Sequence, residues 1–242
     1  MDGIINLHKP LGMSSAKALT CVRRLVGQRK SGHAGTLDPL AEGVLLVCLG
    51  RATKLVEALM DQPKVYRANA ALDVTSAGFD AETPPIPVSV PQPPDLERVA
   101  EVLRGFEGTS EQVPPATSAV KVGGRPAYKL SRSGQTPRLS ARPVHIYWVH
   151  VHRYHWPLLD FELACGRGTY VRALVRDIGV RLGTGGCLIA LTRRAVGPFR
   201  IEESWSLERL AAESDPAQAV VPLERARALL AVRPIVIPPR PG

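Results

Sequence analysis

The sequence has few cysteines and no long run of apolar residues. Its four cysteines, Cys21, Cys48, Cys165 and Cys187, stand far apart, and none forms the CxxC pair typical of zinc and redox sites. No segment approaches the roughly 20 apolar residues of a membrane-spanning helix, and the first residues do not resemble a signal peptide. We therefore expect a soluble protein of the reducing cytoplasm, with no membrane partner.

Cofactor fingerprints are also lacking. Neither the GxxxxGK[ST] nor the GxGxxG pattern is present, so nothing supports a nucleotide cofactor. The histidines His150, His152 and His155 suggest a metal site, because residues two apart on a strand share a face. No cysteine or carboxylate completes a ligand set beside them in the sequence, and solvated strand histidines are the favoured interpretation. We expect neither a metal nor a cofactor.

Acidic residues are scarcer than basic ones. The chain has 22 Asp plus Glu against 31 Lys plus Arg, a net charge of +9, which favours a polyanionic partner such as nucleic acid. An arginine-rich composition without any such partner would give the same charge, so charge alone leaves both interpretations open.

The order of apolar patterns predicts a mixed α and β fold. Residues 3–7 read as a strand, Ser14 or Ser15 can cap a helix through about Val26, and 44–49 read as an apolar strand. The Pro-rich residues 83–94 predict an exposed connector. Further predicted elements are a helix over 53–60, a strand over 64–72, a helix from Asp95, a hairpin of 144–154 and 159–164 around Trp156-Pro157, a helix capped by Thr169, and a helix over 208–212 followed by a tail.

The loop GHAGTLDP, residues 32–39, is the first candidate site. Pro39 favours an extended backbone at Asp38 and removes one donor beside it, which presents the carboxylate rigidly. Small residues before Asp38 let another polymer approach closely. Asp-Pro is also a common start of a turn, so a plain turn is the alternative.

The segment CGRGTYVR, residues 165–172, is the second candidate. Its glycines, helix start and arginines suit anion binding. In the helix that follows, apolar residues form a core stripe while Arg172 and Arg176 lie on another face. Arg172 could instead pair with a buried carboxylate.

Taken together, these motifs resemble the TruB family of tRNA pseudouridine synthases over roughly residues 3–200. The block of residues 32–45, which contains Asp38, is highly specific. The matching blocks are GIINLHKP at 3–10, GHAGTLDPLAEGVL at 32–45, GRATK at 50–54, KVY at 64–66, QVPP at 112–115 with Ser118, Ala119 and Lys121, and CGRGTYVR at 165–172.

The resemblance implies an RNA isomerase that converts the T-loop uridine of tRNA, at position 55, to pseudouridine by base flipping without a cofactor. Asp38 would be the catalytic aspartate, Tyr66 would pack on the extruded base, and Arg172 would pair with Asp38. Substrate contacts would come from His33, Tyr170, Leu191, Lys9 and Lys121.

The resemblance also implies an α+β pseudouridine synthase fold, with a mixed, mainly antiparallel sheet flanked by helices and a thumb-like insertion at about 107–140. We expect a monomer with one catalytic domain over 1–225, a short tail over 226–242 and no C-terminal RNA-binding domain. Phosphate contact would then fall to Arg23, Arg24, Arg29 and Lys30, and to Lys121, Arg125, Lys129 and Arg132 of the thumb-like insertion.

Departures from the family pattern lie away from the catalytic positions. Residues 72–83 match a family loop only loosely, with Asp80 as the clear match, and Thr117 stands where an aromatic residue is usual. Two alternatives stay open: a non-catalytic RNA-binding or RNA-folding module, and a related enzyme that acts on ribosomal or guide-directed RNA.

Overall fold

The structure is a computed structural model. It describes the chain except residues 119, 128–129, 131–132, 134, 136, 232–236, 238 and 242, and except the side chains of residues 121, 122 and 126. The chain forms two compact units: the first comprises Met1–Arg67 and Leu191–Pro239, and the second comprises Ala68–Ala190 and Arg240–Gly242. Strands β4 (Lys64–Ala71) and β12 (Cys187–Val196) each include a unit boundary.

The first unit is built on a mixed sheet. Its other elements are β1 (Gly3–Lys9), α1 (Ser15–Leu25), β2 (Ser31–Ala34), β3 (Ala41–Leu49), a 3₁₀ turn (Gly50–Leu55), α2 (Val56–Asp61), β13 (Phe199–Arg200), α5 (Leu207–Ala212), β14 (Val220–Pro222) and α6 (Leu223–Ala231). Strand β1 pairs antiparallel with β14 and with β3. The other edge of β3 is shared by β2, which pairs antiparallel with its end, and by β12, which pairs parallel with its start.

Both faces of this sheet are covered by helices. One face packs Ile4, Val44 and Leu46 against α2 and α6, and the other packs Ile5, Leu45 and further residues against α1 and α5. This explains why β1 and β3 are buried along almost their whole length rather than at alternate residues. The expected α+β class, with a mixed and mainly antiparallel sheet flanked by helices, is confirmed.

Helix α1 begins and ends close to its predicted bounds. Ser14 is the N-cap, and its hydroxyl accepts a hydrogen bond from Lys17 N at 3.2 Å. Ser15, the alternative cap, instead turns its hydroxyl inward and is 2% exposed. That difference matters for the candidate site below.

The second unit contains an antiparallel sheet in the order β11–β10–β7. The elements are β5 (Val74–Thr75), β6 (Ile86–Pro87), α3 (Leu96–Arg104), β7 (Gly108–Gln112), β8 (Lys121–Val122), β9 (Arg125–Pro126), β10 (Arg142–His155), β11 (Leu158–Cys165) and α4 (Val171–Leu182). The hairpin of β10 and β11 turns at Trp156-Pro157, as predicted. The Pro-rich connector is mostly exposed, and its β6 pairs with β5.

Helix α3 is capped by Asp95, whose side chain accepts from Arg98 N at 2.8 Å. Helix α4 departs from the prediction at its start. The N-cap position is Tyr170 without a side-chain cap, and the Thr169 hydroxyl donates to Gly166 O at 3.2 Å instead. The prediction that Thr169 caps this helix is therefore wrong.

Ordered structure continues beyond residue 212, where only a tail was expected. Strand β14 joins the edge of the first unit's sheet, and α6 crosses residue 225 with Ala226 fully buried in the core. The division into a catalytic domain over 1–225 and a tail over 226–242 stays a prediction, as does the thumb-like role of 107–140.

Among the described residues, no helix combines the length and the apolar character that crossing a membrane requires.

Candidate active site

The loop that carries Asp38 joins β2 to β3 inside the first unit. Since β2 and β12 lie on the same edge of β3, this loop passes beside β12 before the chain enters β3 at Ala41. Asp38 itself is half-buried, between the buried Leu37 and the exposed Pro39. Both ends of the loop are therefore attached to β3: β2, before the loop, pairs with this strand, and the chain enters the strand directly after the loop.

Ser15 of α1 holds the middle of this loop. Its hydroxyl accepts a hydrogen bond from Leu37 N at 2.8 Å and donates to Leu37 O at 2.9 Å, and both bonds are buried. The next carbonyl, that of Asp38, accepts from Ala41 N at 3.0 Å. The main chain on both sides of the Asp38 carboxylate is thus hydrogen-bonded.

Lys9 supports the loop through a neighbouring turn. It is fully buried, and its ammonium group donates to Pro10 O at 2.8 Å and to Met13 O. Within that turn, Gly12 N donates to Pro39 O at 2.8 Å. These contacts give Lys9 a role in building the site, while its predicted contact with substrate stays a prediction.

Arg193 of β12 completes the support of the loop. Its Nη2 donates to Gly35 O at 3.0 Å, its Nη1 lies 3.5 Å from Thr36 O, and its Nε donates to Val44 O at 2.7 Å. Nη1 also lies 3.4 Å from the hydroxyl oxygen of Tyr66. One guanidinium therefore connects the loop, strand β3 and the predicted base-stacking tyrosine.

Sequence reasoning missed Arg193. It is 1% exposed, yet it stands next to the half-buried Arg194 in a strand whose charges look like those of a solvated face. The signal that could have found it is Gly43, which is opposite Arg193 in the pairing of β3 with β12. Gly43 has φ +100°, and a Cβ there would lie 2.3 Å from Arg193 O, so only glycine permits this close approach.

Tyr66 and Leu191 belong to the same unit as Asp38. Tyr66 is 9% exposed on β4, and Leu191 is half-buried where β12 pairs with Ala41 of β3. The first unit thus brings Tyr66 and Leu191 to the elements that border the Asp38 loop. Their contacts with a substrate base stay predictions.

His33 lies on β2, just before the loop. Burial lowers the pKa of this imidazole, and the positive charge of Arg193 lowers it further. Its buried Nδ1 has no hydrogen-bond partner among the described residues. The ring is therefore neutral at neutral pH, a form suited to stacking rather than to binding phosphate.

In the second unit, Arg172 is buried at the start of α4. Its Nη1 donates to Asp80 Oδ2 at 2.8 Å and to Thr117 Oγ1 at 2.7 Å, and it lies 3.4 Å from Gly78 O. The side chains of Arg172 and Asp80 are 6% and 2% exposed. Of the two interpretations of this arginine, pairing with a buried carboxylate is confirmed. Its pairing with Asp38, which belongs to the other unit, stays a prediction.

Tyr170 is positioned by its main chain. Gln112, which is buried, accepts from Tyr170 N at 2.9 Å through Oε1 and donates to Tyr170 O at 3.2 Å through Nε2. This pair of bonds fixes the main chain of the residue that precedes α4. Tyr170 and Arg172 are therefore set by residues far away in sequence, on β7 and in the segments around residues 80 and 117.

The remaining candidates contribute less to this picture. The side chain of Lys121 lies outside the described residues, as do Lys129 and Arg132.

On the hairpin, His152 Nε2 lies 2.9 Å from Glu162 Oε2 of the neighbouring strand, a carboxylate that sequence spacing did not reveal. Even so, no group of three metal-ligating side chains occurs in the part of the chain that the structure describes.

Arg193→Lys should lower the free energy of unfolding by about 1–3 kcal/mol. Lysine lacks the planar guanidinium that reaches three carbonyls, so the substitution leaves buried acceptors unpaired. Urea unfolding measures this change. Arg194→Lys is the matched control: that side chain is 43% exposed and pairs with Glu202 at the surface, so its effect should stay below about 0.5 kcal/mol. Equal effects of the two substitutions would contradict the supporting role of Arg193.

Two family models match this chain. The model described as TruB family pseudouridylate synthase (N terminal domain) matches residues 23–171, and the model described as tRNA pseudouridylate synthase B C-terminal domain matches residues 172–229. The boundary between the two matches falls at Arg172.

Curated proteins named tRNA pseudouridine synthase B are similar along most of the chain. The protein from Syntrophotalea carbinolica is 40% identical over 232 residues, which are 96% of this chain and 74% of that protein. The protein from Syntrophus aciditrophicus is 44% identical over 211 residues, 87% of this chain and 67% of that protein.

Among solved structures, a chain in the crystal structure of a Cbf5-Nop10-Gar1 complex is similar, with a TM-score of 0.72 and 30% identity. The match covers 93% of this chain and 61% of that one. A chain of an H/ACA RNP bound to a substrate RNA containing 2′-deoxyuridine has a TM-score of 0.70 and 26% identity, covering 93% of this chain and 60% of that one.

Proposed function

The chain belongs to the TruB family of tRNA pseudouridine synthases, which isomerise uridine to pseudouridine, and we propose that its target is the T-loop uridine at tRNA position 55. We propose that Asp38 is its catalytic group, and the observation that carries this role is the loop of Asp38, in which every carbonyl from residue 35 to residue 39 has a hydrogen-bond partner. A catalytic group on so well supported a loop is held in place before substrate binds.

The proposed reaction needs one carboxylate and no cofactor. The bond between N1 of the uracil and C1′ of the ribose breaks, the retained base rotates, and C1′ bonds to C5, which loses its proton while N1 gains one. Asp38 acts either as the nucleophile that holds the sugar or as the base that removes a proton. In either role Asp38 has to be ionised.

We propose that the guanidinium of Arg172 favours the ionised form of Asp38. A cation beside a carboxylate in a poorly solvated pocket opposes the cost of burying the negative charge. Asp80 and Thr117 hold this guanidinium in a fixed position. The charge of Asp80 weakens the attraction of Arg172 for a second carboxylate but does not remove it. A guanidinium has five N–H donors, so binding at Nη1 is compatible with a further carboxylate at the other nitrogens.

The target base has to leave its stack before Asp38 can reach it. We propose that Tyr66 packs on the extruded base, and that Tyr170 and Leu191 line the pocket that receives it. His33 would fill the space that the base leaves in the T-loop, for which a neutral ring is suitable. The contact between Tyr66 and Arg193 would keep the tyrosine ring in position.

Basic residues near the end of α1 form the proposed phosphate-binding surface. Arg23, Arg24, Arg29 and Lys30 are all exposed on the first unit. Phosphate contacts orient an RNA without reading its sequence, so they suit recognition of a folded T-arm. We propose that Arg125 and Lys121 of the second unit also contact phosphate.

The affinity for tRNA should fall steeply with salt, because each neutralised phosphate releases counterions. Arg23→Gln together with Arg24→Gln should reduce the slope of log affinity against log salt by about 1.4–1.8, from roughly 0.7–0.9 per contact. Filter binding over a range of salt concentrations measures the slope. The control is Arg227→Gln on α6, another exposed arginine of the same unit, which should leave the slope unchanged. If the tRNA affinity of the unsubstituted protein did not change with salt, the proposed phosphate contacts would be contradicted.

Incubating the purified protein with unmodified tRNA and mapping pseudouridine by position tests the proposed function. Modification of the T-loop uridine alone is the expected result. Modification only in ribosomal RNA would favour the related-enzyme alternative, and binding without modification would favour the RNA-binding module. The similarity to the chain of the Cbf5-Nop10-Gar1 complex makes a guide-directed reaction worth including as a third arm.

We further propose that the protein acts in the cytoplasm as a monomer. All four of its cysteines are free thiols, which suits a reducing compartment. Burial raises the pKa of the Cys48 thiol to about 12 and also raises that of Cys187, so neither is a reactive thiolate at neutral pH.

A further inference from the structure

A short segment of the second unit, residues 112–117, holds the start of α4. Gln112 binds the main chain just before the helix. The carbonyl of the next residue accepts a hydrogen bond from Arg176 Nη2 at 3.1 Å. At the end of the segment, the hydroxyl of Thr117 accepts from Arg172 Nη1 at 2.7 Å. One stretch of chain therefore contacts the helix at three levels.

Two short hydrogen bonds fix Nη1 of Arg172. This nitrogen has two N–H bonds; one is directed to Asp80 Oδ2 at 2.8 Å and the other to Thr117 Oγ1. Gly78 O, at 3.4 Å, is a more distant third acceptor. The bond to Asp80 Oδ2 fixes one direction at this nitrogen. The second bond, in a different direction, defines the plane of the group.

We propose that Thr117 is a positioning residue for the reaction: its hydroxyl orients the plane of Arg172 and so directs the rest of the guanidinium. In this arrangement Asp80 supplies the opposing charge and Thr117 supplies the orientation. The inference rests on the proposed function of Arg172 beside Asp38. Orientation matters because misplacing a catalytic contact by about 1 Å can cost on the order of 100-fold in rate.

Thr117→Val removes the hydroxyl with almost no change of shape and leaves one N–H of Arg172 without its acceptor. We expect the rate of single-turnover pseudouridine formation to fall about tenfold, the effect of losing one hydrogen bond to a charged group, while the dissociation constant for tRNA changes less than about twofold. Thr117→Ser keeps the oxygen and should restore the rate to within about threefold. Rates at saturating enzyme and equilibrium binding separate the two effects.

Thr109→Val is the matched control, because the hydroxyl of Thr109 on β7 bonds His145 at the surface at 2.8 Å. Its rate should equal that of the unsubstituted protein. The proposal is overturned if Thr117→Val reacts as fast as the unsubstituted protein. It is also overturned if Thr117→Ser is as slow as Thr117→Val, which would assign the effect to packing, or if the loss lies in binding.

A measurement without RNA separates this inference from the proposed function. Thr117→Val should lower the urea midpoint of the otherwise unsubstituted protein. It should have little further effect in a protein that already carries Asp80→Asn and Arg172→Met, since no guanidinium remains there to bond. Equal shifts in both backgrounds would show that the hydroxyl does not act on Arg172. A protein that shows this coupling but forms no pseudouridine would instead contradict the proposed function.

Discussion

Asp38→Ala should slow pseudouridine formation by at least about 100-fold, while tRNA still binds. In the proposed mechanism the carboxylate takes part in the chemistry, whereas affinity comes mainly from phosphate contacts elsewhere. The loop should keep its shape, because it is held through main-chain groups that the substitution leaves in place. Single-turnover assays and binding measurements on the same preparation check both halves of the expectation.

The size of the loss distinguishes the two roles of Asp38. Removal of a general base typically slows a reaction by about 10²–10⁴-fold, which leaves measurable turnover. Removal of a nucleophile leaves no covalent route, and activity should fall below detection. Asp38→Asn is the companion variant, since it keeps the shape and removes the charge. If Asp38→Asn reacts at the unsubstituted rate, the ionised carboxylate is not needed and the proposal fails.

Arg172→Met should lower the free energy of unfolding by about 3–5 kcal/mol, the usual effect of breaking a buried ion pair from one side. The substitution leaves the carboxylate of Asp80, 2% exposed, without its guanidinium. Pseudouridine formation should be lost as well. Urea unfolding followed by circular dichroism gives the first quantity, and single-turnover assays give the second.

Combining Asp80→Asn with Arg172→Met provides the control for that experiment. Without a buried charge on either side, most of the lost stability should return, because replacing both partners of a buried pair is often nearly neutral. Activity should not return. If Arg172→Met alone unfolds within about 1 kcal/mol of the unsubstituted protein, water reaches Asp80 and the pair does not stabilise the fold.

Local patterns predicted the elements whose hydrogen bonds lie close in sequence. The cap at Ser14, the strand β4 and the turn at Trp156-Pro157 all follow from residues within a few positions of one another. The family resemblance added the fold and the proposed chemistry of the Asp38 loop, and the family is confirmed.

Contacts between distant segments could not be predicted in this way. Arg172 and Asp80 are 92 residues apart, and Arg193 lies 158 residues from Gly35. No apolar pattern in β12 distinguishes the buried Arg193 from the half-buried Arg194, because the surroundings of Arg193 form only when β12 pairs with β3. Thr169 shows the opposite failure. It is a good capping residue beside the start of α4, yet its side chain does not cap the helix, and Gln112 of β7 binds the main chain there instead.

The support of the Asp38 loop also has a consequence for synthesis on the ribosome. Asp38 and its loop emerge early, but Arg193, which binds the carbonyls of Gly35 and Thr36, is made more than 150 residues later. A nascent chain that has reached only the second unit therefore lacks the hydrogen bonds from Arg193 to this loop. The loop around Asp38 therefore gains this part of its support only late in translation.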